Sequence, residues 1–334
     1  MFPVGGWFLL LPSSWYAMRK TLPELRELTL SDRRKVTDWL RRFPPEVSEL
    51  TFTNLYVWRR MREVRMAEFN GALLFVCEEE GKQRLLGPPV GDVAPGDLPE
   101  LLGDLGVTEA ERLGKTAAEA LRRAGVKVAE DRDQYDYVYL REELAALDGR
   151  RLHRKKNMVN RCLANYPCEY VEIDRGNVDE VLEMQARWGR SRDCKEDPAL
   201  CAENLAIRDS LAHFDEFGLV GGAVRIDGQI EAFTLGEALN EETAVVHFEK
   251  AMTQFQGLYQ LINCWFCEHT LGGFTFVNRE QDLGIPGLRK AKKSYLPHHM
   301  VEKFVACWDE GPCACHAQLH GRCAEHGVDD GDHA

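Results

Sequence analysis

Three signatures of nucleotide and ester chemistry are missing from this 334-residue sequence. There is no Gly-x-x-x-x-Gly-Lys-Ser/Thr phosphate loop, no Gly-x-Gly-x-x-Gly turn between a strand and a helix, and no Gly-x-Ser-x-Gly elbow. That sets aside P-loop, dinucleotide and α/β-hydrolase chemistry. No apolar run reaches the roughly 20 residues of a spanning helix. The apolar stretch Trp7 to Pro12 follows no cation, so it does not read as a signal peptide. Residues 1–20 are expected to be a flexible N-terminal extension. Cations are outnumbered, 42 Lys and Arg against 54 Asp and Glu, for a net charge of -12. This excludes a surface coated for nucleic acid, though not a local basic groove. A secreted disulfide scaffold would be shorter and richer in loops. The eleven cysteines therefore read as reduced thiols, and the expected location is cytoplasmic.

What is present is a globular composition, 44% hydrophobic and 9% aromatic, in a chain long enough for about two domains. The first half reads as a short strand at Leu25–Leu30, a capping box at Thr29–Asp32, and a helix that Pro44-Pro45 stops. Phe52–Trp58 is aromatic-rich and fits helix or strand. A hairpin follows on Asn70-Gly71, then helices at Leu98–Leu105 and Ala117–Ala124. Val126–Val128 and Tyr135–Leu140 read as closing strands. The second half repeats this grammar: a strand at Tyr170–Ile173, an Asn177/Glu180 capping box, a helix at Leu205–Phe214 and a hairpin on Asp227-Gly228. A strand at Ala244–Phe248, a helix from Gly257 to Thr270 and a strand at Phe274–Val277 complete it. A repeat of about 140 residues is a duplicated domain rather than a solenoid. The expected division is 21–145, 146–308 carrying the site, and a disordered Cys/His-rich tail at 309–334.

The stretch Asn278 to Tyr295 is the densest in chemistry. Acids and amides come first, then Gly284-Ile285-Pro286-Gly287, then cations. Loops on a rigid scaffold are where sites gather. Glu280 and Asp282 have the chemistry of a base at a nucleophile, and Arg279 and Arg289 that of charge at an oxyanion or phosphate. The alternative is a strand-exit turn followed by a solvated basic face. A second block, Arg150 to Arg161, holds no acid. Leu152, Val159 and Leu163 fit one helical face, which leaves Arg154, Lys155 and Lys156 for nucleic-acid phosphates, or simply for solvent. With Lys290, Lys292 and Lys293 these cations would form one groove if the fold joined them. His247 and Glu249 end a strand, where either could act as general base or be structural. Gln254 to Tyr259 approximates a pyrophosphate loop at a helix N-terminus, but Tyr259 replaces the last small residue, which counts against CoA. Cys307, Cys313, Cys315, His316, His320, Cys323, His326 and His333, toward and in the tail, are capable metal ligands without zinc-finger spacing, and no metal site is assigned. Cys264-Trp265-Phe266-Cys267 lies inside a helical run, away from a redox context.

The order of elements resembles the GNAT acyltransferase fold, and two such units in tandem look like the Fem-type and lipid-aminoacylating transferases. A sharper resemblance is to the phosphatidylglycerol lysyltransferase C-terminal domain family. It is carried by Ser48 to Trp58, His247-Phe248-Glu249-Lys250-Ala251, Gly257 to Asn263, and Asn278 to Tyr295, within about residues 20–306. The resemblance implies an α/β (α+β) protein of two tandem GNAT-like domains, mixed sheets flanked by helices. It implies transfer of an aminoacyl group from charged tRNA to an amine or hydroxyl acceptor, a lipid headgroup or small molecule, with no cofactor and no stable membrane insertion. Catalytic roles would then fall to Glu249, Arg279, Glu280, Asp282 and His247. Substrate would be held by Tyr259, Gln260, Asn263, Asn278, Arg289, Lys290, Lys293 and Tyr295. The alternatives are a CoA-dependent N-acyltransferase and a non-enzymatic tRNA- or ligand-binding protein of the same fold.

Overall fold

The computed structural model describes residues 24–308 apart from 70, 80, 94–97, 104 and 192–196. The expected N-terminal extension, the Cys/His tail and Asn70 lie outside the described residues. The first half contains β1 (Arg26–Glu27), α1 (Arg33–Arg42), α2 (Phe52–Val57), α3 (Arg59–Arg62), β2 (Arg65–Phe69), β3 (Ala72–Glu79), β4 (Lys82–Leu86), β5 (Val90–Gly91), α4 (Leu98–Gly103), β6 (Glu109–Leu113), α5 (Lys115–Arg123), β7 (Lys127–Glu130), β8 (Asp136–Leu140) and α6 (Arg141–Ala146). The second contains α7 (His153–Asn165), β9 (Cys168–Glu172), α8 (Val178–Ser191), α9 (Pro198–Ala212), α10 (Phe214–Phe217), β10 (Val220–Ile226), β11 (Gln229–Ala238), β12 (Thr243–Ala251), α11 (Leu258–Trp265), β13 (Phe276–Asn278), α12 (Pro286–Lys293), β14 (His299–Val301) and β15 (Phe304–Cys307).

Local chemistry explains much of this. The Thr29 capping box is formed, with the Asp32 carboxylate accepting from the Thr29 N–H at 2.9 Å. Phe52–Val57, undecided from sequence, is a helix because Thr51 caps it through the Asn54 N–H. At Asp227-Gly228 both residues have positive φ, 50° and 84°, the two-residue turn whose twist suits a hairpin.

The strands form two mixed sheets flanked by helices, ordered β1-β2-β3-β4-β6-β15-β7, with β5 on β3, and β14-β8-β13-β12-β11-β10-β9. The change of sheet does not coincide with the expected 145/146 division. β8, read above as a closing strand of the first half, pairs with β13 and β14 in the second sheet. β15, from the far end, pairs with β6 and β7 in the first. Alternation along a strand says which faces are apolar, not which sheet the strand joins. The two crossing segments run side by side, with the Asp131 N–H bonded to the Lys303 carbonyl at 2.9 Å. There the Lys303 ammonium, fully buried, binds Glu49 at 2.7 Å and Asp136 at 2.6 Å. Asp136 also accepts from the Ser48 backbone and hydroxyl. One apolar cluster spans both halves, joining Leu73 and Phe75 to Phe217, Phe233 and Phe248. A second fills the space among β8, β12, α7 and α11, with Tyr139, Val159, Leu261 and Tyr295.

Candidate active site

The site begins where two parallel strands part. β12 and β13 pair only from Thr243↔Phe276 to Val245↔Asn278. β12 then runs on through His247 and Glu249, while the chain after Asn278 follows β8, with the Arg279 N–H on the Tyr137 carbonyl. His247 is an extra residue in the β12 ladder: Leu235 pairs with Phe248 and the next residue, Gly236, with Val246. Such a bulge re-aims side chains beside a site.

Two ion pairs bridge the gap. Arg279 Nη2 donates to Glu249 Oε1 at 2.9 Å, and Glu249 Oε2 accepts from Asn263 Nδ2 at 3.2 Å. Arg279 lies against the rings of Tyr295 and Tyr139, 4.9 and 5.8 Å from their centroids. Burial works against its charge, but Glu249, Tyr139, Tyr295 and Cys267 together outweigh burial and hold the guanidinium above its ordinary pKa. Glu280 turns the other way, toward the first half. Its Oε1 accepts from Asn54 Nδ2 at 3.0 Å and from His247 Nδ1 at 2.9 Å. His247 Nε2 meets Glu237 Oε1 at 2.9 Å. Burial opposes the imidazolium, yet the bonds to Glu237 and Glu280 prevail and raise its pKa to about 9. With both ring nitrogens donating to carboxylates, His247 has no lone pair to offer. The general-base reading of His247 is corrected: it is a charged clamp.

Asp282 is likewise redirected. It is fully buried and accepts from Tyr137 at 2.5 Å, from Arg289 Nε at 2.9 Å and Nη2 at 2.7 Å, and from the Gly284 N–H at 2.9 Å. Burial raises its pKa less than Arg289 and Tyr137 lower it. A carboxylate so fully bonded neither takes a proton nor meets substrate; it pins the strap 279–285. Arg289, bonded also to Asp133, is its partner in holding the strap. Asn278, fully buried, bonds Asp136 and the Glu280 N–H, so it too holds the strap. The latter half of the supposed loop is a helix, α12, with Pro286 in its first turn. Lys292 turns inward onto the carbonyls of Arg279 and Gln281, and burial draws its pKa down to about 8.

The remaining expected residues divide. Tyr259 and Gln260 are half-buried on the first turn of α11. Lys290 and Lys293 are exposed on α12. Of the three α7 cations expected to meet phosphates only Arg154 is exposed; Lys156 donates to the Ala146 carbonyl, and Lys155 stands 4.5 Å over the Tyr295 ring. The buried face of α7 uses Val159 and Cys162, and Leu163, expected inside, is 43% exposed. The groove expected between the basic block and α12 exists in part. Arg150, Arg151 and Lys293 line one cleft of about 760 Å³, together with Glu142, Glu143 and Asp148. Asn54, Glu237 and Tyr137 join the site without having been singled out in the sequence, although Asn54, an amide in the middle of an apolar helix, lies within the Ser48 to Trp58 stretch that carries the resemblance.

The Gln254–Tyr259 turn is closed on the side that faces α7. Gly257 has φ 89°, and a Cβ there would lie 2.2 Å from the Met158 carbonyl oxygen, so α7 packs directly on the turn. The Leu258 N–H bonds the Phe255 carbonyl, so one backbone donor of the turn is already spent.

Comparison with known proteins places this geometry. Residues 40–307 match the family described as phosphatidylglycerol lysyltransferase, C-terminal. A conserved protein of unknown function from Bacteroides thetaiotaomicron superposes with a TM-score of 0.80 at 32% identity, over 86% of this chain and 100% of its own. L-PGS from Bacillus licheniformis gives 0.62 at 12% identity, over 86% and 95%, and FemX 0.56 at 11%, over 85% and 96%. The fold is thus the tandem GNAT-like arrangement. No curated protein matches. Among the described residues no helix is long and apolar enough to cross a membrane.

Proposed function

The chain belongs to the phosphatidylglycerol lysyltransferase C-terminal family, and on that premise we propose that it moves an aminoacyl group from charged tRNA to an amine or hydroxyl acceptor in the cytoplasm. The observation that carries the reading is the parted β12–β13 gap, bridged by Arg279–Glu249 on one side and Glu280–His247 on the other. Arg279 polarises the ester carbonyl and stabilises the oxyanion. Glu280, oriented by Asn54 and His247 through one oxygen, uses the other to take the acceptor's proton. The acceptor nitrogen or oxygen bonds the carbonyl carbon, the ester C–O bond breaks, and the proton ends on the ribose hydroxyl. Arg150, Arg151 and Arg154 meet tRNA phosphates. The closed turn at Gly257 favours this donor over CoA.

The test is incubation with bacterial tRNA charged with labelled amino acids, plus lipid and metabolite extract. Label leaving tRNA for an organic acceptor supports the reading. Undisturbed tRNA, with acetyl-CoA raising the melting temperature by ligand linkage, would favour the N-acyltransferase instead.

A further inference from the structure

Glu280 stands in a left-handed backbone conformation that L residues rarely adopt, with φ 55°. Such a conformation persists only where its surroundings fix it. Both backbone groups of Glu280 are held. Its N–H donates to Asn278 Oδ1 at 2.8 Å, and its carbonyl accepts from the Tyr137 N–H at 3.1 Å. Its carboxylate is held as well, by Asn54 and His247.

These bonds lead back to one buried carboxylate, Asp136. Asp136 Oδ2 accepts from Asn278 Nδ2 at 3.0 Å, which turns the Asn278 amide so that its oxygen faces the Glu280 N–H. The same Oδ2 accepts from the Ser48 N–H at 3.0 Å, and Oδ1 accepts from the Ser48 hydroxyl at 2.9 Å. The Ser48 carbonyl accepts from Asn54 Nδ2 at 2.8 Å, and that Nδ2 also donates to Glu280 Oε1. Tyr137 is the next residue along β8. Asp136 thus reaches the N–H, the carbonyl and the carboxylate of Glu280 by short paths. Asp136 is itself fixed by Lys303 at 2.6 Å, and both side chains are fully buried. Glu49 shares that ammonium, but its carboxylate pairs with Lys303 and Arg112, off these paths. An apolar side chain at position 136 would fill the same space. It would not turn Asn278 and Ser48, and through Ser48 Asn54, toward Glu280.

We propose that Asp136, anchored by Lys303, is a positioning residue of the site: it sets the Glu280 carboxylate against His247 and leaves its second oxygen for the acceptor. The assignment rests on the reading of Glu280 as the group that takes the acceptor's proton, and names what orients it. Because Lys303 lies on the segment that crosses to the first sheet, the site is complete only when that crossing is made.

The test compares two near-isosteric changes in the full chain, Asp136→Asn and Glu49→Gln. Each removes one negative charge beside Lys303 and leaves the other acid to pair with it. Whichever way the amide of Asp136→Asn turns, its NH2 meets a donor: Lys303 one way, Asn278 and the Ser48 N–H the other. The first readout is the pKa of the His247 imidazole, followed by side-chain NMR and assigned with His247→Gln. His247 faces Glu280 on the strap and Glu237 on β11. Asp136→Asn should lower that pKa by about one unit or more, the effect of losing one adjacent carboxylate. Glu49→Gln should leave it in place, whereas a purely structural role would move both variants alike. The second readout is single-turnover transfer, expected about a hundredfold slower in Asp136→Asn, with charged tRNA bound at wild-type strength, and unchanged in Glu49→Gln. A folded Asp136→Asn protein with the wild-type His247 titration, or a Glu49→Gln protein that shifts it as far, would overturn the proposal. Should either variant fail to fold, Asn278→Ala, which cuts the path one bond later, must give the same fall in the His247 pKa, and no fall overturns the proposal. The transfer reading is judged separately. If His247 responds as stated and wild type discharges no charged tRNA, the positioning stands and the transfer reading falls. If wild type discharges tRNA and folded Asp136→Asn does so equally fast, transfer stands and the positioning falls.

Discussion

Arg279 and Glu249 meet at 2.9 Å across the gap where β12 leaves β13, and the pair is nearly sealed from solvent. Removing one member leaves the other charged and unpaired. Arg279→Ala should therefore cost about 3–5 kcal/mol in urea unfolding and abolish transfer. Arg279→Ala combined with Glu249→Ala should be less destabilised than the two single changes predict, a coupling that a double-mutant cycle reads directly.

His247 makes stability fall toward alkaline pH. Its folded pKa of about 9 lies above the ordinary value near 6.5. The contribution is complete below about pH 6.5 and is lost as pH rises through 9, on the order of 3 kcal/mol for a shift of that size. Unfolding measured from pH 6 to 10 should show this decline in wild type, and a shallower one in His247→Gln.

Asp282 should behave as a pin. Asp282→Asn removes the charge that Arg289 and the Tyr137 hydroxyl bind, so hydrogen exchange across 279–289 should accelerate. Tyr137→Phe, which deletes a single donor, should cost about 1–3 kcal/mol. The lowered pKa of Asp282 gives the opposite pH sign from His247: its contribution is present above the ordinary carboxylate pKa and disappears as pH falls through the depressed one.

Exposed cations near the cleft should set the salt dependence of tRNA binding. Replacing Arg150, Arg151 and Arg154 by Ala should flatten the slope of log K against log salt by about 2–3, near one per lost phosphate contact. Lys156→Ala should leave the slope unchanged, since that ammonium is bonded to the Ala146 carbonyl.

The parts of the fold legible in the sequence were those set by nearby residues. The Thr29 box, the Asp227-Gly228 turn and α1 follow from caps and apolar spacing; α8 follows from apolar spacing, although Asn177 Oδ1 accepts from the Asp174 N–H and Glu180 binds Arg225 in place of the expected box, and α9 starts at Pro198, capped by Asp197, ahead of the expected Leu205. The exchange of β8 and β15 between sheets was not legible, because it depends on which open edge each strand meets, more than 100 residues away. The strap shows the same divide. Its residue types announced a site, yet Asp282 and Arg289 neutralise each other seven residues apart along a turn, and composition alone cannot tell a pin from a base. Glu280 and His247 stand out by residue type, while Asn54, which bonds Glu280, and Glu237, which bonds His247, sit in segments whose pattern reads as core.

The central claim is transfer from charged tRNA at the Glu249–Arg279 gap. Its most direct test is the single-turnover rate at which wild type and Glu249→Gln discharge the same aminoacyl-tRNA to acceptor, with folding checked by circular dichroism. Glu249→Gln keeps an amide close to the shape of the carboxylate but removes its charge. The account predicts discharge by wild type and at least a hundredfold loss in the folded variant. Equal rates in the two proteins, or no discharge by wild type across all charged tRNAs, would contradict it.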